Sequence, residues 1–306
     1  MMTKAALDAW LAARQLALLD GAMGTELERR GYRTALPLWS AMANIEVPRL
    51  VHAIHVDYLH AGADLITANT FRTTAYTFTK TGQEDLAAHC TRLAVELAHE
   101  AISQARPGAL LCASVAPLED CYRPDLVPSD GVIEDAYDQQ LDVLASTDVD
   151  VILAETMINR TEALTLARLL ARRKLPFMMS FTTDGSDRML DGTPLEDIIA
   201  GVMEYGPSAL LINCRPAEHM DAAVRLLKEH VTVPFGVYAN GGGSPDPETG
   251  WKLADHSVEA YSAAAVHWHG SGAKLIGGCC GTTPEIIAAV NTKLKPGPSS
   301  PGVTDR

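Results

Sequence analysis

A single (βα)8 barrel of the TIM type is the fold this sequence predicts, and three observations carry the prediction. Eight short apolar runs recur along the 306 residues, a helical pattern follows each of them, and polar residues gather at the C-terminal ends of the runs. The runs are Leu16 to Asp20, Asp64 to Asn69, Ala109 to Val115, Val149 to Glu155, Pro176 to Thr182, Ala209 to Cys214, Pro234 to Asn240 and Lys274 to Gly278. Each is short and mostly apolar, as a parallel strand covered on both faces must be. Helical spacing marks Pro48 to Ala61, Glu84 to Gln104, Asp130 to Ser146, Arg160 to Arg173, Pro194 to Tyr205, Ala217 to Glu229, Asp255 to His269 and Pro284 to Leu294. The last of these carries Pro in its first turn, where a missing N–H costs nothing. An open doubly wound sheet is the alternative. No linker interrupts the alternation, so residues 1 to 295 are expected to form one domain. The Pro-, Gly- and Ser-rich stretch from Pro296 to Arg306 is expected to be a disordered tail.

Composition narrows the function. A net charge of -13 argues against nucleic-acid or anionic-membrane partners, whose phosphates would be repelled. The opening MMTKAALDAWLAARQ has apolar residues at helical spacing but is broken by Lys4, Asp8 and Arg14, unlike a signal peptide. No apolar run approaches the ~20 residues of a membrane span. Six cysteines, two of them adjacent, are no disulfide framework. They fit thiols working as metal ligands in a reducing cytoplasm.

In such a barrel the active site lies at the C-terminal strand ends. Asp20, Asn69, Thr70, Ser114, Glu155, Cys214 and Asn240 stand there, and Cys279 and Cys280 follow the eighth run. Three thiols from two strand ends suit Zn2+, which takes tetrahedral sulfur and nitrogen ligands. Flanking Gly277, Gly278 and Gly281 allow both adjacent sulfurs to face one ion. Three protein ligands leave a fourth position open, and a substrate thiol bound there would lose its proton. Burial of the cysteines as ordinary core residues, or a vicinal disulfide between Cys279 and Cys280, are the competing readings.

The segments LLDGAMGTELERRG (18 to 31), ITANTFRTT (66 to 74), AETM (154 to 157), INC (212 to 214), VYANGG (237 to 242) and GGCCGTTPEII (277 to 287) resemble the homocysteine S-methyltransferase family. That family includes betaine-dependent and S-methylmethionine-dependent enzymes and the homocysteine module of cobalamin-dependent methionine synthase. The resemblance spans about residues 15 to 294 and implies a (βα)8 barrel. It implies Cys214, Cys279 and Cys280 as catalytic zinc ligands, and Asn240 as an oxygen ligand before the thiol arrives. It implies Glu155 as the holder of the homocysteine amine, with Asp20 and Gly21 lining the amino-acid end. Two positions depart from the family pattern: Ala22 replaces the second Gly of Asp-Gly-Gly, and Ala239 replaces the Pro before Asn240.

The residues alone leave several roles open. Glu155 could make a structural ion pair, Asp20 could cap a turn, and Asn240 could serve the glycine run after it. Ser114 and Thr70 are candidate substrate contacts or local hydrogen-bonding groups. Trp39, in ALPLWSA, could face a sulfonium or quaternary ammonium through its π surface, or simply pack. That stretch resembles S-methylmethionine-dependent enzymes. Phe71 and Tyr76 are further candidates for the same wall. The expected activity is zinc-dependent methyl transfer from a small onium donor to homocysteine, giving methionine. S-methylmethionine or S-adenosylmethionine is favoured as donor, with betaine possible. Transfer to another thiol, transfer through a corrinoid partner protein, and zinc binding without catalysis are the alternatives. His267 and His269 are read as a helix end, Cys90 and Cys112 as core, and Cys121 has no assigned place. The sequence is silent on oligomeric state.

Overall fold

The computed structural model describes residues 1–255 and 257–295, and the Pro296 to Arg306 stretch lies outside the described residues. Eight parallel strands form the barrel: β1 (Ala17–Leu18), β2 (Leu65–Ala68), β3 (Leu110–Val115), β4 (Val151–Met157), β5 (Phe177–Phe181), β6 (Ala209–Pro216), β7 (Phe235–Asn240) and β10 (Leu275–Gly278). Between β7 and β10 lies an antiparallel hairpin of β8 (Ser244–Asp246) and β9 (Gly250–Lys252). The sheet runs β1-β10-β7-β6-β5-β4-β3-β2. A parallel bridge from Leu19 to Leu65 returns its last strand to its first, closing the barrel. The doubly wound alternative is thereby excluded.

All eight expected runs contain a barrel strand. No boundary moves by more than two residues; β4, for example, runs Val151–Met157 where Val149 to Glu155 was expected. Helices Pro48–Ala61, Arg160–Arg173 and Pro284–Leu294 match their expected bounds. The helix expected from Ala217 begins only at Asp221, after a short 3-10 turn. Short helices Gly24–Arg29, Ala43–Glu46 and Ala75–Thr79, and the hairpin, were not foreseen. They are too short for periodicity to reveal them.

Period-2 alternation divides the strand residues between two cores. One set, including Leu65, Leu110, Cys112, Val151, Leu153, Met178, Leu211 and Leu275, packs inside the barrel. The other, including Ile66, Leu111, Ile152, Met179, Leu210 and Ile212, packs against the surrounding helices. Leu7 and Leu11 of the helix Lys4–Ala12 join the inner set, so the amphipathic N-terminus plugs the barrel's lower end. Asp64 fastens the seam there: it accepts the Leu18 N–H and pairs with Arg106 and Lys295. Cys90 and Cys112 are fully buried core residues, as the sequence suggested. His267 and His269 fall in the last turn of Val258–Gly270, where His269 Nδ1 lies 2.9 Å from the Ala273 carbonyl oxygen. Among the described residues no helix is long and apolar enough to cross a membrane.

Candidate active site

Following the inner columns upward, the apolar residues give way to polar ones. Thr67 succeeds Leu65, Ser114 succeeds Cys112, Glu155 succeeds Leu153, Ser180 succeeds Met178, and Asn213 succeeds Leu211. The barrel mouth is therefore lined by the same alternation that packs its interior.

Cys214 does not obey this parity. It follows Leu210 and Ile212, which face the helices. The pairing of β6 with β7 shifts register between Asn213 and Pro216, and Cys214 takes a left-handed backbone, φ 55°. Those irregularities re-aim its side chain into the mouth. β4 has the same device, a register shift between Ala154 and Met157 with Thr156 at φ 60°. Below the two kinks runs a buried chain of hydrogen bonds. Ser180 Oγ donates to Asn213 Oδ1 (2.6 Å), Asn213 Nδ2 to Thr156 Oγ1 (2.8 Å), and Thr182 Oγ1 to the Asn213 carbonyl (3.1 Å). Each strained residue is thus held from beneath.

Cys279 and Cys280 occupy the turn after β10. The Cys279 N–H bonds to the Ala239 carbonyl (2.7 Å), the Cys280 carbonyl accepts from Gly241 N–H (2.8 Å), and Thr25 Oγ1 accepts from Gly281 N–H (2.9 Å). The ligand-capable sulfurs of Cys214, Cys279 and Cys280 all lie within 4.8 Å of one another. Cys214 and Cys279 are in disulfide contact, with Cα atoms 5.6 Å apart, whereas Cys280 is a free thiol. The vicinal pairing is therefore not the one adopted. A tetrahedral zinc at ~2.3 Å from each sulfur needs sulfurs about 3.8 Å apart, a spacing this cluster can supply with a small movement of the Cys214–Cys279 pair. Asn240 partners Pro216 across β6 and β7 beside this cluster, and its Oδ1 is buried without a hydrogen-bond partner. An orphaned carbonyl oxygen beside three sulfurs is a fitting fourth donor for a cation.

The carboxylates stand apart from the sulfurs on other strands. Asp20 accepts from Thr67 N–H (2.8 Å) and Thr67 Oγ1 (3.2 Å). Glu155 accepts from Ser114 Oγ and from Tyr238 OH (3.3 Å). Burial pushes Asp20 up to about 8, with the Glu155 charge adding to the effect, and its Thr67 bonds oppose the rise. Burial likewise pushes Glu155 up to about 7 against its two hydroxyl donors. Two desolvated carboxyls, each lacking a cationic partner among the described residues, form a site suited to an incoming ammonium.

One cavity contains Asp20, Gly21, Trp39, Ser114, Glu155, Cys214, Cys279 and Cys280 in its lining. Thr70 is not brought there: it is fully buried and its Oγ1 donates to the Ser114 carbonyl (2.8 Å). Tyr76 is also elsewhere, bonded to Glu119 (2.6 Å) beneath Lys80. Ala22 gives its N–H to Thr282 Oγ1 (3.1 Å), and its carbonyl accepts from Tyr58 OH (2.9 Å).

The outer half of the cavity is aromatic. Trp39 meets Phe71 edge-on, with centroids 5.7 Å apart, and Tyr122 faces Trp251 at 6.5 Å. Tyr122, Trp251 and Cys121 were not assigned to the site from sequence, because they come from a loop after β3 and from the short hairpin. The hairpin is tied to the Trp39 loop by Thr34 Oγ1 to the Thr249 carbonyl (2.9 Å) and Leu36 N–H to the Glu248 carbonyl (3.3 Å). Gly24 abuts the Trp39 indole so closely that a Cβ there would overlap the ring. Gly24→Ala is therefore expected to tilt Trp39 and raise the KM for a ligand that meets this aromatic wall several-fold. Metal content should stay at the wild-type level, as checked by metal analysis beside steady-state kinetics.

A family model described as homocysteine S-methyltransferase matches residues 17–294. The chain is 35% identical over 305 residues to the homocysteine S-methyltransferase of Escherichia coli, covering 94% of this chain and 98% of the relative. It is 34% identical over 293 residues to that of Bacillus subtilis, covering 90% and 93%. It is 32% identical to a selenocysteine Se-methyltransferase of Brassica oleracea, covering 91% and 88%. The crystal structure of the homocysteine methyltransferase MmuM from Escherichia coli in its metallated form superposes with a TM-score of 0.82 at 32% identity, covering 94% of this chain and 99% of that one. A family match across nearly the whole barrel, with relatives of equal length, establishes that the chain belongs to the homocysteine S-methyltransferase family.

Proposed function

We propose that this protein transfers a methyl group from a small onium donor to the thiol of homocysteine, giving methionine, with a zinc ion held by Cys214, Cys279 and Cys280. The observation that carries the reading is the meeting of three sulfurs, two buried carboxyls and an aromatic wall in a single cavity. Asn240 Oδ1 would complete the zinc sphere until the acceptor arrives. When bound, zinc lowers the pKa of a ligated thiol and presents it as a thiolate at neutral pH.

The remaining work falls to the chain itself. Glu155 and Asp20 ionise against the acceptor's ammonium and fix its amino end, with Ser114, Thr67 and Tyr238 orienting them. Trp39, Phe71, Tyr122 and Trp251 present ring faces to the positive sulfur or nitrogen of the donor and exclude water from the methyl. A methyl on an onium centre leaves behind a neutral group, so no general acid is required. Alignment of donor and acceptor supplies the rest of the acceleration. S-methylmethionine or S-adenosylmethionine is the favoured donor and betaine a weaker one.

The 32% identity to a selenocysteine Se-methyltransferase supports a second reading, in which a selenol also serves as acceptor. Incubating the zinc-loaded protein with homocysteine or selenocysteine against each of the three donors, and quantifying methylated product, decides between them. Methionine formation with a sulfonium donor is the expected result. Absence of product from homocysteine with every donor would refute the proposal.

A further inference from the structure

Arg72 is a buried cation that the chemistry described so far does not use. It is 5% exposed and lines the cavity, and it is the single Lys or Arg among the lining residues. Its guanidinium lies 4.9 Å from the centroid of the Phe71 ring. It donates one hydrogen bond, from Nη1 to the Pro117 carbonyl (2.7 Å). No carboxylate lies within 4.0 Å of it among the described residues. Its charge is felt at Glu162, but the oxygens of Glu162 are taken by Leu118 N–H, Tyr137 OH and Asn159 Nδ2. A desolvated guanidinium without an anion is costly, and a planar fork of donors is matched by a carboxylate.

We infer that Arg72 binds the carboxylate of the methyl donor and so sets the preference for a donor that carries one. The inference rests on the methyl-transfer reading above and deepens it. Position assigns the carboxylate to the donor and not the acceptor. Arg72 follows β2, its guanidinium lies over the Phe71 ring, and Phe71 meets Trp39 edge-on, so the cation belongs to the aromatic wall. The donor half of the cavity thus offers ring faces for the onium, Asp120 and Asp246 for further positive charge, and one cation for a carboxylate. The charges there complement a zwitterion with an onium centre.

Calorimetric titration without acceptor tests this, using S-methylmethionine and its carboxamide analogue as probes. The wild-type protein is expected to bind the zwitterion about 30-fold or more tightly than the carboxamide, the scale of a buried charge-assisted pair. In Arg72→Gln and Arg72→Met the two probes should bind within about 3-fold of each other, and Arg72→Lys should retain part of the preference. The KM for homocysteine should stay within 2-fold in all three variants, a readout that a general disturbance of the site would move. Equal wild-type affinity for both probes, no binding of S-methylmethionine, or a rise confined to the homocysteine KM would each overturn the assignment. Should the Gln and Met variants fail to fold, the Lys variant and the wild-type probe ratio still decide it: an undiminished preference in Lys counts against the fork-shaped contact. Because the titration omits the acceptor, carboxylate recognition is read even if no methionine forms, which would instead sink the methyl-transfer reading.

Discussion

Replacing Cys280 with alanine is expected to lower zinc occupancy from one per chain to near zero and to cut methionine formation by about 10^3-fold or more. Structural zinc-type sites hold their ion with an apparent ~10–16 kcal/mol, and removing one of three thiolates forfeits a large part of it. Cys280 is the informative first choice because its sulfur is free while Cys214 and Cys279 are in disulfide contact. Alanine at Cys214 or Cys279 should give the same loss. Alanine at Cys112, buried in β3 below the mouth, supplies the control. It should cost stability through a small cavity and leave metal content intact. Metal analysis paired with single-donor turnover is the measurement. Undiminished turnover in zinc-free Cys280→Ala protein would eliminate metal activation as the source of the nucleophile.

Glu155→Gln is the second large effect, and it separates stability from activity. Burial pushes the carboxyl of Glu155 up to about 7 in the folded chain, against an ordinary 4.5. Between those pH values the folded state holds a proton that the unfolded state has released. Stability from this group is therefore complete below about pH 4.5 and is lost as pH rises to about 7. The amide does not ionise, so the Tm of the unliganded variant should fall less than wild type between pH 5 and pH 8. Over the same change kcat/KM for homocysteine should drop about 10^2-fold or more, because the acceptor's ammonium would lose a buried anionic partner. Thermal melts across pH and steady-state kinetics at pH 8 check the two halves. A steeper pH dependence of Tm in the variant would contradict the buried-acid account. Asp20, pushed up to about 8, should behave alike with its loss extending further into the alkaline range.

Much of this site was legible because strand ends and the inner alternation coincide. Glu155 and Ser114 sit two residues above Leu153 and Cys112 on the same inner columns, so period-2 reasoning places them. Cys214 was found by its chemistry and not by its parity, which points the other way until the register shift between Asn213 and Pro216 is known. A bulge of that kind has no dependable signature in a single sequence. Thr70 shared the strand-end position but lost its hydroxyl to the Ser114 carbonyl, a local competition that spacing cannot foresee. Trp251, Tyr122 and Arg72 were out of reach for another reason. They enter the cavity from loops, and the loop that carries Trp251 is a three-residue-stranded hairpin held down by contacts to residues more than 200 positions away.

The sulfur trio is divided very unequally along the chain: one member ends β6, and two follow β10 after a separation of 65 residues. β10 is also the strand that meets β1, on the side where the cylinder is sealed by a two-residue strand. A metal ion gripping all three sulfurs would tie β6 to β10 across β7, next to that junction, like a buckle. Movement of β10 would withdraw two ligands together, so metal retention would gauge how firmly β10 is held in the barrel. Zinc release and the opening of β10 should then share one rate, with the protein letting go of its metal in a single event.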